Sequence, residues 1–172
     1  MHLLILLFVL LFPVTVCAQS GQMVIMGWVE TVAIDALDVE LKAKLDTGAK
    51  TSSMRAEVVK IIEAEKEGEK RRIVFKLEGQ DGKTVTLERK LVRWVRIKSR
   101  SGKTHYRRPV VEMDFCIAGR RVHSEVNLAA RKEFIYPILV GRNMLDHGNI
   151  LVDSSKTFTA EPHCPATEKR EE

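Results

Sequence analysis

Short runs in which apolar and polar residues alternate, separated by turns that contain glycine, fill most of the chain after residue 20. In the segment VELKAKLD (39–46) every second residue is apolar, and this pattern predicts a strand with one buried face. The segment RIVFKLEGQDGKTVTLE (72–88) alternates in the same way on both sides of Asp81-Gly82, a dipeptide typical of hairpin turns. Many short strands joined by such turns predict an all-β protein, either a barrel or a sandwich.

The other elements follow the same plan, with one exception near the end of the chain. Residues 91–115 form a second predicted hairpin, which turns at Ser101-Gly102. Residues 142–148 suit one short helix, whereas residues 58–71 are compatible with either a helix or a charged loop. Further strands are predicted at 22–34, 118–128, 136–141 and 149–153.

The first 18 residues, MHLLILLFVLLFPVTVCA, contain no Asp, Glu, Lys or Arg. This apolar run is shorter than the ~20 residues that a membrane-spanning helix needs, and Pro13 interrupts it. Small residues around Ala18 suit signal peptidase, so residues 1–18 are predicted to be a signal peptide that exports the chain. Two alternatives stay open: a retained N-terminal membrane anchor, and a lipoprotein modified at Cys17.

The formal net charge of +5 is modest, and the lysines and arginines are scattered among glutamates. Since no basic cluster carries interleaved aromatic residues, the sequence predicts no nucleic-acid binding. Gly-Lys-Thr occurs twice, but a phosphate-binding loop needs an earlier glycine where Leu77 and Ile97 stand. Both tripeptides also lie at predicted hairpin tips, so no ATP binding is expected.

The histidines and cysteines lack the spacing of a metal site. The sequence contains neither His-Glu-x-x-His nor Cys-x-x-Cys, so neither a metal nor another cofactor is expected. If Cys17 leaves with the signal peptide, Cys116 and Cys164 remain. Pairing in an oxidising compartment, which would stabilise the fold by about 4 kcal/mol, and a buried free thiol at Cys116 are equally open interpretations.

Asp46 lies in the segment LDTGA (45–49), directly after a predicted strand. Hydrolysis of a peptide bond by carboxylates alone needs two carboxyl groups ~3 Å apart that share one proton. The ionised group acts as general base on a water molecule, and the protonated group polarises or protonates the carbonyl oxygen. An Asp-Thr-Gly triplet alone is a weak signal, because Asp-x-Gly is also a common turn. A second element strengthens it: ILVG (138–141) is an apolar strand that ends in glycine and precedes the predicted helix.

The segments LDTGA and ILVGRNML together resemble the pattern of retroviral-type aspartic proteases, the retropepsins. Over residues 27–158 the chain is similar to a bacterial retropepsin-like family often labelled ATP-dependent zinc protease, although the sequence supports neither ATP nor zinc. The resemblance implies an all-β, retropepsin-like closed barrel with one short helix after the ILVG strand. The protease domain would span 19–160, and the polar, proline-bearing segment 161–172 is predicted to be a disordered tail.

The resemblance also assigns roles to residues. The chain has one Asp-Thr-Gly and is too short for a two-lobed protease, so the implied catalyst is a homodimer with Asp46 from each protomer as its dyad. Thr47 would lock the two loops together, and Gly48 would present its backbone to the substrate. Arg142 would anchor the dimer or the loop through a carboxylate. The residues expected to support the loop are Ala49, Ile138, Leu139, Val140 and Gly141.

One hairpin is expected to be the flap that covers the substrate, and the hairpin 93–109, with Gly102 at its tip, is favoured over 75–87.

Taken together, these features predict an exported aspartic endopeptidase, periplasmic or secreted, that acts on a peptide or protein. A membrane contact is expected only through an uncleaved N-terminal segment. Two alternatives stay open: a catalytically silent retropepsin-fold domain that binds peptides or regulates a partner, and an ordinary turn at Asp46 in an unrelated β-protein.

Overall fold

The computed structural model describes residues 22–35, 37, 39–98, 105–130 and 135–165. The predicted signal peptide at 1–18 and the predicted flap tip at Gly102 lie outside the described residues. Strands make up 62% of the structure and one short helix accompanies them, so the predicted all-β class is confirmed.

Eleven strands and one helix follow one another along the described part of the chain. The first six strands are β1 (Val24–Ile34), β2 (Val39–Leu45), β3 (Ser52–Arg55), β4 (Glu57–Ile62), β5 (Arg72–Glu78) and β6 (Thr84–Lys90). The other five are β7 (Arg93–Lys98), β8 (His105–Ile117), β9 (Arg120–Ala129), β10 (Ile138–Val140) and β11 (Ile150–Thr157). The helix α1 (Arg142–His147) lies between β10 and β11, and no helix in the described ranges is long and apolar enough to cross a bilayer.

Six of the strands close into a barrel. Around it their order is β1, β2, β10, β3, β9 and β8, and β8 pairs back onto β1 where Ala33 lies opposite Cys116. β11 pairs in parallel with β1, and β7 extends β8 as a hairpin. The apolar positions of these strands fill the interior, where the following side chains are at most 1% exposed: Val32, Leu41, Met54, Phe115, Val126 and Ile138.

A separate three-stranded sheet, β4-β5-β6, shares the core of the barrel. Ile73 and Phe75 of β5 are fully buried in that core. The β5–β6 hairpin turns at residues 79–83, as its Asp81-Gly82 dipeptide predicts, with Gly82 at a φ of +77°.

The prediction of a helix or a charged loop at 58–71 is wrong for its first residues, because 57–62 form the strand β4. Val58, Val59 and Ile61 are β-branched residues that favour extended backbone. The edge of β5 supplies hydrogen-bond partners for that backbone, and the sequence alone did not show this partner strand.

Two sets of contacts tie the C-terminal segment to the barrel. The fully buried Glu30 carboxylate accepts hydrogen bonds from the N–H groups of Gly27 and Thr159 and, at 2.6 Å, from the Thr159 hydroxyl. Farther along, Cys164 forms a disulfide with Cys116 of β8, with the Cα atoms 5.4 Å apart. Of the two open interpretations of these cysteines, the structure therefore has the paired one.

Residues 161–165 differ from the prediction of a disordered tail that starts at residue 161. Pro162 is buried, and Nε2 of His163 lies 2.9 Å from the Glu40 carboxylate of β2. The disulfide at Cys164 holds this stretch against the barrel. The rest of the predicted tail, 166–172, lies outside the described residues.

Candidate active site

The Asp46 carboxylate lies directly after β2, where its own loop holds it. Backbone N–H groups of Gly48 and Ala49 donate to Oδ1 at 3.0 and 3.2 Å, a turn that aspartate side chains commonly form with the following backbone. The Asp46 N–H donates to the Val140 carbonyl of β10 at 2.8 Å. Since the side chain is 29% exposed, the carboxylate is fixed in orientation and still reachable from solvent.

β10 lies behind this loop. It runs parallel to β2, with Val140 opposite Leu45, and its other edge pairs with β3. Ile138 and Val140 are fully buried, and Leu139 is half-buried on the other face. The loop therefore leaves the barrel at the end of β2 and returns at β3, while β10 fills the gap between the two strands.

Gly141 allows the start of α1 to approach the loop closely. A Cβ atom there would lie 2.7 Å from the Thr51 carbonyl carbon and 3.0 Å from the Ala49 oxygen. The Gly141 N–H donates to the Ser52 hydroxyl, and the next N–H, of Arg142, donates to the Ala49 carbonyl, both at 2.9 Å. This contact between two backbones is what requires glycine.

Replacing Gly141 by alanine is expected to lower the free energy of unfolding by about 1–3 kcal/mol, because the added methyl overpacks against backbone that has no room to move. Urea unfolding measures the change. Gly148→Ala is the matched control, since its Cβ would meet chiefly the flexible end of the Ile150 side chain and should cost less. Equal effects of the two substitutions would contradict this account of Gly141.

A buried polar network that was not predicted from the sequence lies beneath the loop. The Ser52 N–H and hydroxyl donate to Oδ1 of Asn143 at 2.8 and 2.9 Å. Nδ2 of Asn143 donates in turn to the Ser124 hydroxyl and the Glu125 carbonyl. Nδ2 of Asn127 donates to the Ser52 carbonyl at 2.6 Å. Because a buried unpaired polar group costs about 1–3 kcal/mol, these bonds fix the loop's return strand against β9 and α1.

Thr47 and Gly48 are exposed at the tip of the loop. Nη1 of Arg142 donates to the Thr47 carbonyl at 3.3 Å, so this arginine supports the tip from the side of α1. The resemblance implies a carboxylate partner for Arg142, and among the described residues its guanidinium has none.

Lys44 places a cation beside the catalytic candidate. Its Nζ lies 3.9 Å from Oδ2 of Asp46. The two residues are two positions apart at the end of β2, and residues at that spacing share one face of a strand. The alternation of VELKAKLD therefore already places the two side chains on one face, although no role for Lys44 was predicted from it.

The flap candidate β7–β8 is a hairpin whose two faces differ. Cross-strand pairing puts Arg93 with Val110 and Val95 with Arg108 on one face, which we call the inner face. The inner face meets the strand that follows the Asp46 loop, and a narrow recess lies between them. Residues lining this recess include Thr51, Ser52, Val95, Val110 and Asn127.

The outer face of the same hairpin is open to solvent and basic. It carries Trp94, Arg96, His105 and Arg107, and the Arg107 guanidinium lies 5.2 Å from the centre of the Trp94 ring. The alternative flap, 75–87, belongs to the separate sheet β4-β5-β6. Within the described ranges, no three His, Cys, Asp or Glu side chains form a group that could hold a metal ion.

A closed six-stranded barrel that carries an Asp-Thr-Gly loop, backed by an apolar strand ending in glycine, defines the retropepsin-like class of aspartic-protease folds. The chain belongs to the family described as retropepsin-like aspartic endopeptidase RimB, which matches residues 25–163. The resemblance stated from the sequence is thereby confirmed for the family and the fold.

The chain is also similar to a named bacterial protein and to a solved structure. The chain is 34% identical over 144 residues to a Shewanella pealeana protein named as a probable alpha-L-glutamate ligase, a match that covers 81% of this chain and 30% of that protein. The chain thus spans less than a third of this relative's length. A solved structure of a Legionella pneumophila protein of unknown function has a TM-score of 0.68 and 34% identity, covering 81% of this chain and 100% of that one.

Proposed function

We propose that the protein is an aspartic endopeptidase whose active site forms when two copies bring their Asp46 loops together. The observation that carries the proposal is the loop itself, whose carboxylate is held by Gly48 and Ala49 and still reachable from solvent. One chain contributes one such carboxylate, and the chemistry needs two. The exposed Thr47 and Gly48 are the residues through which the two loops would meet.

In the proposed dimer, one Asp46 carboxylate takes a proton from a bound water, and this water attacks the carbonyl carbon of the peptide bond. The other Asp46, which is protonated, donates its proton to the carbonyl oxygen, and a tetrahedral diol forms. Collapse of the diol delivers a proton to the leaving nitrogen and breaks the C–N bond. The products are a carboxylic acid and an amine, and no covalent bond to the protein forms.

The surrounding residues have positioning roles in this proposal. Thr47 would bond across the dimer and lock the loops, and Gly48 would let the substrate backbone approach. Arg142 holds the loop tip through the Thr47 carbonyl. The β7–β8 hairpin would cover the substrate, because its inner face already borders the strand that follows the loop.

Export to the periplasm or the cell exterior is part of the proposal. Disulfides persist in oxidising compartments, and the Cys116–Cys164 bond supports such a location. The apolar segment 1–18 would supply the export signal.

The proposed substrate is a peptide with acidic side chains. The Shewanella relative is named as a probable alpha-L-glutamate ligase, and this chain corresponds to 30% of it. A domain joined to a glutamate ligase would meet peptides that contain glutamate. The net charge of +5 favours the approach of such a substrate.

A catalytically silent domain that binds peptides is the second candidate. Two features of the loop favour it. Lys44 lies 3.9 Å from the Asp46 carboxylate and competes for it, and Arg142 bonds a backbone carbonyl where the resemblance implies a carboxylate.

The experiment that tests the endopeptidase is digestion of a diverse peptide library by the purified protein, with EDTA in a parallel sample and the oligomeric mass measured by light scattering. We expect a dimer, cuts that survive EDTA, and acidic residues enriched near the cuts. A folded dimer that binds peptides but cuts none between about pH 4 and pH 8 would favour the silent domain. Cuts that EDTA removes would contradict the carboxylate mechanism.

A further inference from the structure

Arg108 is a half-buried cation on the inner face of the β7–β8 hairpin. Its Nη1 donates to Oδ1 of Asn127 at 3.3 Å, and Asn127 lines the recess beside the strand that follows the Asp46 loop. No carboxylate pairs with Arg108 among the residues that the structure describes.

The orientation of Arg108 is set by the polar network beneath the loop. Nδ2 of Asn127 donates to the Ser52 carbonyl at 2.6 Å, which turns the amide oxygen of Asn127 toward Arg108. Asn127 is 3% exposed and therefore held by its surroundings. A guanidinium has five N–H donors, so one hydrogen bond to Asn127 leaves most of these N–H groups available for another partner.

The neighbouring arginine of the same face is already neutralised. Arg93 makes a two-point ion pair with Glu125, with Nε and Nη2 at 3.0 and 2.5 Å from Oε2, and this bonding raises the pKa of Arg93. Burial without a compensating charge instead lowers the pKa of Arg108. Of the two arginines on the inner face, Arg108 is therefore the one that no carboxylate of the described residues neutralises. A ligand that supplies an anion would compensate this half-buried charge.

We propose that Arg108 is a specificity-determining residue that binds an acidic side chain of the substrate beside the Asp46 loop. A carboxylate can accept two parallel hydrogen bonds from the planar guanidinium, and this ion pair is strongest where water is partly excluded. The inference rests on the proposed endopeptidase for its role in cleavage, but the binding of the acidic side chain does not depend on turnover.

The test uses pairs of peptides that differ only by glutamate or glutamine at one position around a cut, with kcat and KM measured for each. The wild-type protein is expected to prefer the glutamate peptide by about tenfold or more in kcat/KM, chiefly through KM. Arg108→Gln should abolish this preference, and Arg108→Lys should retain part of it. Arg96→Gln removes the same charge from the outer face and should keep the full preference.

The same peptide pairs are titrated by fluorescence anisotropy against each variant, so that the inference and the proposed function fail separately. If the wild type cuts nothing but binds the glutamate peptide more tightly, and Arg108→Gln loses this difference, the endopeptidase fails and the role of Arg108 stands. If Arg108→Gln keeps the glutamate preference, or weakens both peptides equally while remaining folded, Arg108 does not determine specificity.

Discussion

Asp46→Asn is expected to lower peptide cleavage by at least about a thousandfold, because an amide can neither take a proton from water nor share one with a second carboxylate. The fold should be unchanged, since the amide oxygen can still accept the two backbone hydrogen bonds from Gly48 and Ala49. Cleavage of the most sensitive library peptide measures the loss, and the urea unfolding midpoint checks the fold.

Asp153→Asn is the matched control for this substitution. The Asp153 side chain is also 29% exposed and accepts hydrogen bonds from the Ser155 N–H and hydroxyl, but it lies on β11, which pairs with β1 and not with the loop. The substitution Asp153→Asn should leave cleavage unchanged. Activity that survives in Asp46→Asn would show that another group is the catalyst.

A mixing experiment adds a test of the dimer. When an equal amount of Asp46→Asn protein is exchanged into a fixed amount of wild type, random pairing leaves only half of the wild-type chains with a wild-type partner. Cleavage should therefore fall to about half if each active site needs Asp46 from two copies. A catalyst complete within one chain would lose nothing.

The parts of this fold that were predictable are those where the signal lies in a short stretch of sequence. The loop at Asp46 and the strand ending in Gly141 are each coded by four or five consecutive residues, and their pairing follows from the family pattern. β4 could not be predicted in the same way, because most of its residues are exposed and its strand state depends on hydrogen bonds to β5.

The residues of the site that were not predicted are those whose role depends on a partner far away in the sequence. Asn127 is a polar residue at the buried end of β9, between Val126 and Leu128. Only the parallel pairing of β3 with β9 brings it to the Ser52 carbonyl. Arg108 follows another arginine in sequence, yet the two lie on opposite faces of one hairpin. The residue type cannot tell which of the two arginines faces the barrel strands, whereas the pairing register of β7 with β8 does.

Reduction of the disulfide is expected to lower the free energy of unfolding by about 4 kcal/mol, because Cys116 and Cys164 close a loop across a sequence separation of 48 residues. Urea unfolding of the protein with and without reductant measures the difference. Cys164→Ser should unfold at the midpoint of the reduced wild type and should not respond to reductant. Equal midpoints for the oxidised and reduced wild type would contradict the prediction.

The closed loop contains β9, β10, α1 and β11, so it includes the strand behind Asp46 and the helix that begins at Arg142. The Glu30 carboxylate nevertheless holds Thr159 without help from the disulfide. In the absence of denaturant, the reduced protein should therefore keep β11 on β1 and retain its cleavage activity, while unfolding at lower urea. Asp46→Asn should do the reverse, and this opposition separates the residues that perform the chemistry from those that hold the barrel closed.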